Sequence, residues 1–471
     1  MGQSLIRNVD VLIVPETGEC QVHEAQDIHV ANAVITAIVP TGTPPPATTA
    51  ASVGTPSADT TAHSAGTPPL DSTARVEVID GTGLLAVPGL INSHTHSPMV
   101  MMRGAAEDLS INDWFNQRIW PMEVNLTPER VRVGARLACA EMLLAGVTTF
   151  VDHYFHADQI AQAAIESGIR ADLAPTYFSS AGPEGIDAAI ATTRDLATIH
   201  PRITASFGPH ATYTVSEEDL RRTADLARAE GFRVHLHAAE TDAETQATLD
   251  KHGATPIEIL DRTGILDAGA LIAHACGLRD TDFPILARHA DRTTVATCPK
   301  VYLKLAMGNG TPIEQLHAIG IRTGIGTDGA AVHNTLDVWE SLRLLALTQK
   351  HQQNNAESMP LSDILRLATR HSAAAANRPD TLGALEPGRQ ADIALLDLSA
   401  PHNQPLHDPR AALVYSVRAS DVHTVLVAGE VVVRNRQLAN LDLAEVLADA
   451  RSLAHTLVDL SRGGAVQHYA P

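Results

Sequence analysis

The sequence predicts an α/β fold, a (β/α)8 barrel joined to a smaller β-rich part that both ends of the chain contribute. In the central region, strand-like and helix-like segments alternate, which is typical of a parallel sheet covered by helices. Eight strand candidates can be placed there, and eight is the strand number of such a barrel. These candidates are 88–96, 147–155, 169–178, 202–210, 232–240, 269–277, 293–300 and 321–328.

The helices between these strands have recognisable ends. Ser216 to Asp219 resembles a capping box, and Gly231 stands where the helix that follows should stop. A capped helix of this length fits the connection between two parallel strands.

The β-rich part is predicted from segments near both ends of the chain. VDVLIV (9–14), HVANAVITAIV (29–39) and VEVID (76–80) are rich in β-branched residues, as strands usually are. ADIALLDL (391–398) and HTVLVAGEVVVRN (423–435) have the same character. Both ends could therefore build one domain.

A stretch dominated by Pro, Thr, Ala, Ser and Gly, residues 41–75, interrupts the first group of strands. It holds very few large apolar side chains that could pack into a core, so we expect a flexible insertion. The predicted division of the chain is 1–86 and 383–440 for the β-rich domain, 87–382 for the catalytic barrel, and 441–471 for a helix and tail.

Charge and composition narrow the class of partner. The formal net charge is −20, which disfavours binding to nucleic acid or to an anionic membrane surface. The four cysteines are widely scattered and predict reduced thiols in a cytoplasmic protein. The acidic charge therefore favours a small-molecule substrate. No secretory signal and no membrane-spanning apolar run is evident, so we expect a soluble protein. A homo-oligomer stays an open alternative.

Metal-binding side chains stand at the carboxyl ends of several predicted strands. The first strand ends in His94 and His96, which share a face and can bind one ion together. His237, His274 and Asp328 end three later strands. Because strand ends of one barrel meet at a single mouth, these groups should converge. Nitrogen and carboxylate ligands without a required thiolate suit zinc or ferrous iron.

The stretch FRVHLHAAET (232–241) places two histidines on one face of a strand. A pair of hydrogen-bonded core histidines would explain it without any metal. Because other strand ends also carry metal-binding residues, we interpret His237 as a ligand. His235 lies one layer deeper and is predicted to be a packing residue.

The stretches PGLINSHTH, HAAET, HAC and GTDGAA resemble the amidohydrolase superfamily. The resemblance is greatest to its ring-deaminating branch, which holds methylthioadenosine/S-adenosylhomocysteine deaminases and related guanine and triazine hydrolases. It covers the chain from about Val76 to Asn435, in this order of motifs. The resemblance implies a (β/α)8 barrel with a small composite β-sandwich formed by both chain ends.

The resemblance also implies the roles of individual residues. One divalent metal ion would be held by His94, His96, His237 and Asp328. Glu240 would act as the proton shuttle, His274 would orient the attacking water or the substrate, and Asp328 would take the proton of the water. Glu123 and His210 would contact the substrate. Trp114 lies in the long loop after the first strand, where it could stack on a heterocycle or anchor the loop.

A single metal ion is favoured over two. Two-metal members of the superfamily commonly use a carbamylated lysine on a central strand. The lysines of this chain are Lys251, Lys300, Lys304 and Lys350. None of them falls on the third, fourth or fifth predicted strand, so we expect one ion, Zn²⁺ or alternatively Fe²⁺.

The predicted reaction is hydrolytic deamination of an aminated N-heterocycle with release of ammonia. An adenosine-like nucleoside is the expected substrate; the alternatives are a guanine or pterin deaminase and a triazine chlorohydrolase or alkylaminohydrolase. A non-enzymatic scaffold is disfavoured because every expected ligand is present. Two departures from the family pattern weigh against S-adenosylhomocysteine: no arginine follows the third strand, and Tyr302 replaces an asparagine in CPKVYLKL.

Overall fold

The computed structural model describes residues 3–45 and 76–470, so the predicted insertion lies outside the described residues from position 46 to position 75. The strands are β1 (Gln3–Ile13), β2 (Gln21–Ala31), β3 (Val34–Pro40), β4 (Glu77–Asp80), β5 (Leu84–Pro88), β6 (Leu90–Thr95), β7 (Val147–Tyr154), β8 (Arg170–Tyr177), β9 (Ile203–Ala205), β10 (Gly208–Pro209), β11 (Val234–Ala238), β12 (Ala270–His274), β13 (Thr293–Thr297), β14 (Arg322–Ile325), β15 (Ile393–Asp397), β16 (Val422–Val427), β17 (Glu430–Arg434) and β18 (Gln437–Leu438).

Helices fill most of the connections between these strands. They are α1 (Ile111–Asp113), α2 (Trp120–Glu123), α3 (Pro128–Leu144), α4 (Ala157–Ser167), α5 (Gly182–Ile199), α6 (Glu217–Glu230), α7 (Asp242–His252), α8 (Pro256–Arg262), α9 (Ile265–Ala268), α10 (Asp282–Arg288), α11 (Pro299–Lys304), α12 (Ile313–Ala318), α13 (Ala330–His333), α14 (Val338–Gln352), α15 (Leu361–Arg366), α16 (Ser372–Ala375), α17 (Pro409–Tyr415) and α18 (Leu443–Leu457). In the described ranges, none of them combines the length and apolar character required to cross a bilayer.

All eight predicted central segments contain strands, the fourth of them being split into β9 and β10. The strands pair in parallel as two sheets, β6 to β10 and β11 to β14. Single parallel bridges, Phe207 with Val234 and Ala211 with His237, link the two sheets. The alternating α/β architecture is confirmed, whereas continuous strand pairing around a closed barrel is not found among the described strands.

Both ends of the chain contribute to one nine-stranded sheet, in the order β18-β17-β16-β15-β5-β1-β2-β3 with β4 beside β1. β15 pairs antiparallel with β5 and thereby joins the two ends of the sequence. The β-like segment 29–39 holds the end of β2 and most of β3. Asn32 and Ala33 both adopt left-handed backbone angles, φ 51° and 70°, and such a pair reverses the chain between β2 and β3. The two-layer arrangement of a β-sandwich stays a prediction.

Ser216 and Gly231 are confirmed as the ends of α6, but the reciprocal half of a capping box is not found, because the Ser216 backbone N–H donates to Ser179 Oγ at 2.8 Å. The Ser216 side chain accepts a hydrogen bond from the Asp219 backbone N–H at 3.2 Å. Gly231 ends the helix with φ 76°, a left-handed conformation that glycine adopts without steric strain.

A buried ion pair connects the parallel strands to the nine-stranded sheet. Arg170 is the first residue of β8, and its Nε and Nη2 atoms donate to the two carboxylate oxygens of Asp392 at 2.8 and 3.1 Å. Both side chains are 4% exposed. The Asp392 carboxylate also accepts from the Ala428 backbone N–H at 2.8 Å, so its charge is well compensated.

Replacing Asp392 with alanine would leave the Arg170 guanidinium buried without its counter-charge. Removing one partner of a buried pair costs about 3–5 kcal/mol, so we expect Asp392→Ala to lower the urea midpoint of unfolding strongly. Glu230→Ala breaks the more exposed pair with Arg194 and is the matched control, with an expected cost below about 1 kcal/mol. Equal midpoints for the two variants would contradict the stabilising role of the buried pair.

Candidate active site

The predicted metal-binding side chains meet at the carboxyl ends of the parallel strands. The ligating atoms of His94, His96 and Asp328 all lie within 4.8 Å of one another. Those of His94, His237 and His274 meet the same criterion, so the two groups share His94. The structure thus gathers side chains that are up to 234 positions apart in the sequence, and all five are buried.

The imidazole rings are oriented from behind by backbone carbonyl groups. His96 Nδ1 lies 2.6 Å from the carbonyl oxygen of His153, and His237 Nδ1 lies 2.9 Å from that of His210. A carbonyl oxygen only accepts hydrogen bonds, so each Nδ1 carries the proton. In the neutral ring the Nε2 atom is then free to bind a metal, which is the usual arrangement of a metal-binding histidine.

Two buried nitrogen atoms in the cluster have no hydrogen-bond partner within the described part of the chain. They are Nε2 of His94 and Nε2 of His274. Buried polar atoms normally have a partner, and unpaired imidazole nitrogens beside a carboxylate fit a divalent cation. The donor set of imidazoles and one carboxylate is one that Zn²⁺ and Fe²⁺ accept.

The protonation states agree with this fit. Burial, reinforced by neighbouring imidazoles, lowers the pKa of His94 and of His237 well below the ordinary value, so both rings are neutral and able to bind metal. Burial would also lower the pKa of His96, but the hydrogen bond and charge of Asp328 raise it to about 9. The protonated His96 ring balances the charge of the Asp328 carboxylate. A bound metal cation would replace this proton and balance the same charge.

The placement of Asp328 depends on a close approach between two strands. The backbone N–H groups of Thr327 and Asp328 donate to the His94 carbonyl oxygen at 3.1 and 2.9 Å. A Cβ atom at Gly326 would lie 2.9 Å from His94 backbone atoms, so only glycine fits there. Asp328 and His274 have φ angles of 60° and 76°. Such left-handed angles at non-glycine residues cost about 1–3 kcal/mol each.

Glu240 lies beside the metal-binding cluster. Its Oε1 atom is 3.9 Å from His274 Nε2, and the Tyr213 hydroxyl donates to its Oε2 atom at 3.4 Å. Burial, followed by the negative charges of Glu244 and Asp328, raises the pKa of Glu240 to about 8. A carboxyl group that is protonated at neutral pH can donate a proton to a bound molecule.

A concave pocket opens above this cluster, with about 600 Å³ of empty space that includes open solvent. All three predicted substrate contacts line it: Glu123, His210 and Trp114. The Tyr154 hydroxyl donates to Glu123 at 2.8 Å. Burial raises the pKa of Glu123 to about 7. Aromatic side chains form much of the wall, namely Trp114, Phe115, Trp120, Tyr154, Phe155, Phe178 and Tyr213.

Sequence reasoning missed several residues around the site. His235 is buried as predicted, but its Nε2 atom is 2.9 Å from His94 Nδ1, so it also orients a member of the cluster. Its position two residues before His237, on the same strand face, was the available signal. Glu244 accepts a hydrogen bond from the Glu240 backbone N–H at 2.5 Å. The Tyr302 hydroxyl lies 3.4 Å from His274 Nδ1.

The amino-acid sequence is similar to those of known amidohydrolases and deaminases, as follows from a family profile and from two relatives. A sequence profile described as the Amidohydrolase family matches residues 85–432. A 5-methylthioadenosine/S-adenosylhomocysteine deaminase of Pelotomaculum thermopropionicum is 40% identical over 384 residues, which is 81% of this chain and 88% of that protein. A 5'-deoxyadenosine deaminase of Methanospirillum hungatei is 37% identical over 393 residues, 82% of this chain and 86% of that protein.

Solved structures resemble the whole architecture. An adenosine deaminase from Xanthomonas campestris with bound zinc superimposes with a TM-score of 0.85 at 30% identity, covering 97% of this chain and 98% of that one. An atrazine chlorohydrolase from Arthrobacter aurescens complexed with zinc gives a TM-score of 0.80 at 26% identity, with coverage of 96% and 100%. With its histidine cluster, its matching profile and these relatives, the chain belongs to the amidohydrolase family.

Proposed function

We propose that this protein is a metal-dependent aminohydrolase that deaminates an adenosine-like nucleoside and releases ammonia. The observation that carries the proposal is the position of the Glu240 carboxyl group, which adjoins a buried cluster of imidazoles and Asp328 in an aromatic pocket. Relatives named as deaminases of adenosine derivatives, at 37–40% identity, support the same reaction.

His94, His96, His237 and Asp328 would hold one divalent ion, with Zn²⁺ expected. When bound, such an ion lowers the pKa of a coordinated water to near neutrality and so supplies a nucleophile. The neutral imidazoles of His94 and His237, the His94 Nε2 atom, which has no hydrogen-bond partner among the described residues, and the two zinc-bound structural relatives support this assignment.

The protein's own groups would then handle the protons. Glu240 donates its proton to the ring nitrogen beside the carbon that carries the amino group. Asp328 accepts a proton from the water that adds to that carbon. His274 Nε2 lies 3.9 Å from Glu240 Oε1 and 4.0 Å from Asp328 Oδ2. From there it can donate a hydrogen bond to the oxygen that develops negative charge.

The departing amine needs one further proton before it leaves as ammonia, because an amide anion is too basic to leave. The hydroxyl of the tetrahedral centre returns a proton to Glu240, and Asp328 passes the proton that it took from the water to the amine, so both carboxyl groups regain their starting states. The net reaction consumes one water and converts the amino-substituted ring carbon to a carbonyl. The aromatic walls of Trp114 and Phe115 would contact the flat ring, while Glu123 and His210 would contact polar groups of the substrate.

We also propose that the parallel strands form a closed barrel. The bonds from Thr327 and Asp328 to His94 join β14 to β6, which supports a closed (β/α)8 barrel. The division of the chain into a barrel and a two-layer β-sandwich, the cytoplasmic location and a homo-oligomeric state stay predictions.

Replacing Glu240 with glutamine should remove the proton donor without disturbing the metal ligands. Loss of a general acid lowers kcat about 10²- to 10⁴-fold, so ammonia release from adenosine should nearly cease while bound zinc stays unchanged. Glu218→Gln, at an exposed glutamate of α6, is the control and should behave as wild type. Unchanged turnover in Glu240→Gln would refute the assigned role, and release of chloride or alkylamine only, from triazines, would favour the alternative reaction.

Removing the metal should abolish ammonia release, since no other group in the pocket can activate water to the same degree. Dialysis against a zinc chelator, followed by titration with Zn²⁺, should restore full activity at one ion per chain. His96→Ala should lower zinc content, whereas His351→Ala, at an exposed histidine of α14, should not. Activity in metal-free protein, or a requirement for two ions, would contradict the proposed centre.

The charge of the pocket predicts a preference among adenosine derivatives. None of the described residues that line it is lysine or arginine, and the Asp328 carboxylate, whose pKa the neighbouring His96 lowers against the effect of burial, is negatively charged. S-adenosylhomocysteine carries a carboxylate that would lack a cationic partner, a contact otherwise contributing about 1.5–3 kcal/mol. We expect its kcat/KM to be about 10- to 100-fold below that of 5′-methylthioadenosine, at about 1.4 kcal/mol per factor of ten. Equal values in an ammonia-release assay would contradict this preference.

A further inference from the structure

Beyond the family match, which ends at residue 432, a short irregular segment returns to the active-site pocket. Residues 458–470 follow α18 without a helix or strand, and we call them the strap. Its residues are exposed or half-buried with a single exception. Tyr469 is only 3% exposed, so this side chain anchors the segment to the rest of the protein.

Tyr469 packs directly behind the aromatic wall of the pocket. Its ring stacks on Phe115 at a centroid distance of 4.9 Å and an interplanar angle of 10°. It meets Tyr213 edge-on at 5.4 Å and lies 6.3 Å from Trp120. All three of these neighbours line the pocket. Aromatic pairs at such separations attract one another and hold each ring in a defined orientation.

The backbone of the strap is fixed at the same place. The Asn116 side chain donates to the Tyr469 carbonyl oxygen at 3.1 Å and accepts from the Tyr469 N–H at 2.8 Å. The Val466 N–H donates to the Trp120 carbonyl oxygen at 3.2 Å. Asn116 and Trp120 belong to the largely helical connection between β6 and β7 that supplies part of the wall, so the strap and this connection hold each other in place.

The contact continues to the proposed proton donor. Tyr213, which Tyr469 supports from outside, donates its hydroxyl hydrogen bond to Glu240 at 3.4 Å. The packing of the Tyr469 ring against Tyr213 therefore links the strap to the neighbour of Glu240.

We propose that Tyr469 is a positioning residue of the active site, which fixes the aromatic wall and the Tyr213 hydroxyl that holds Glu240 in place. The inference rests on the proposed deaminase function for its kinetic consequence. The contacts of Tyr469 do not depend on the proposed reaction. The hydrogen-exchange experiment below therefore tests the positioning role without any substrate.

The kinetic arm compares Tyr469→Ala with wild type on adenosine and 5′-methylthioadenosine. A misplaced proton donor and a loosened wall should lower kcat/KM about 10- to 100-fold, with a fall in kcat as well as a rise in KM. Zinc content should stay unchanged. Tyr469→Phe keeps the ring and should restore the wild-type values. Tyr415→Ala, at an exposed tyrosine of α17 that is absent from the pocket lining, is the matched control.

A double-mutant comparison tests whether Tyr469 acts on Glu240 through Tyr213. If Tyr469 acts on Glu240 through this side chain, the losses in kcat caused by Tyr469→Ala and Tyr213→Phe should not add in the double variant. Full additivity would overturn that route. Wild-type kinetics in Tyr469→Ala, with the wild-type enzyme active, would overturn the proposal as a whole. An inactive wild-type enzyme would instead count against the proposed function.

The second arm measures hydrogen exchange of peptides that cover residues 111–123 and 211–215. Asn116→Ala releases the backbone of the strap without touching its aromatic ring, and it serves if Tyr469→Ala folds poorly. We expect faster exchange in both peptides for Asn116→Ala and for Tyr469→Ala, but not for Tyr469→Phe or Tyr415→Ala. Exchange equal to wild type in the two disruptive variants would overturn the inference whatever the substrate proves to be.

Discussion

The central constraint on this protein is the burial of several imidazoles and one carboxylate around a common point. Polar groups removed from water require partners, and these rings are held mainly through their Nδ1 atoms. Carbonyl oxygens of His153 and His210 hold the Nδ1 atoms of His96 and His237, and His235 faces His94 Nδ1. The opposite nitrogens point inward, where a cation would complete the arrangement. The protein therefore has a strong electrostatic reason to bind metal at this place.

The rest of the fold supports the strands that carry these groups. The site lies at the carboxyl ends of the parallel strands, and the nine-stranded sheet contacts their opposite ends. Arg170 at the start of β8 pairs with Asp392, and the Gly89 N–H, just before β6, donates to the Asp392 carbonyl oxygen at 2.9 Å. Segments from both ends of the chain thus fix the positions at which two site-bearing strands begin.

The pocket lies between the strand ends that carry the imidazoles and a wall of aromatic side chains. Burial and neighbouring acids keep Glu240 protonated near neutral pH, because a low-dielectric surrounding disfavours the charged carboxylate. Its neighbour Tyr213 is in turn packed against Tyr469, far along the chain. The surroundings of the Glu240 carboxyl group therefore depend on residues outside the strands, whereas the positions of the imidazoles and Asp328 depend on the strands themselves.

The sequence by itself determined the order of the elements and the chemistry of the strand ends. Alternating segments predicted all eight central strands, and period-two spacing predicted that His94 and His96 share a face. These features are local, since they follow from side-chain alternation and from the residues that begin and end each element. The sequence did not show the reversal at Asn32 and Ala33, because left-handed angles at such residues are set by the pairing of β2 with β3.

Only the tertiary structure decided which distant groups touch. The bond between His94 and His235 and the contacts of Tyr469 with Phe115 and Tyr213 join residues without any fixed sequence spacing. The conformations of His274 and Asp328 are likewise strained locally and persist because the packed strands around them over-determine the backbone. Long-range contacts of this kind depend on how the whole chain packs, and no periodic pattern within one segment encodes them.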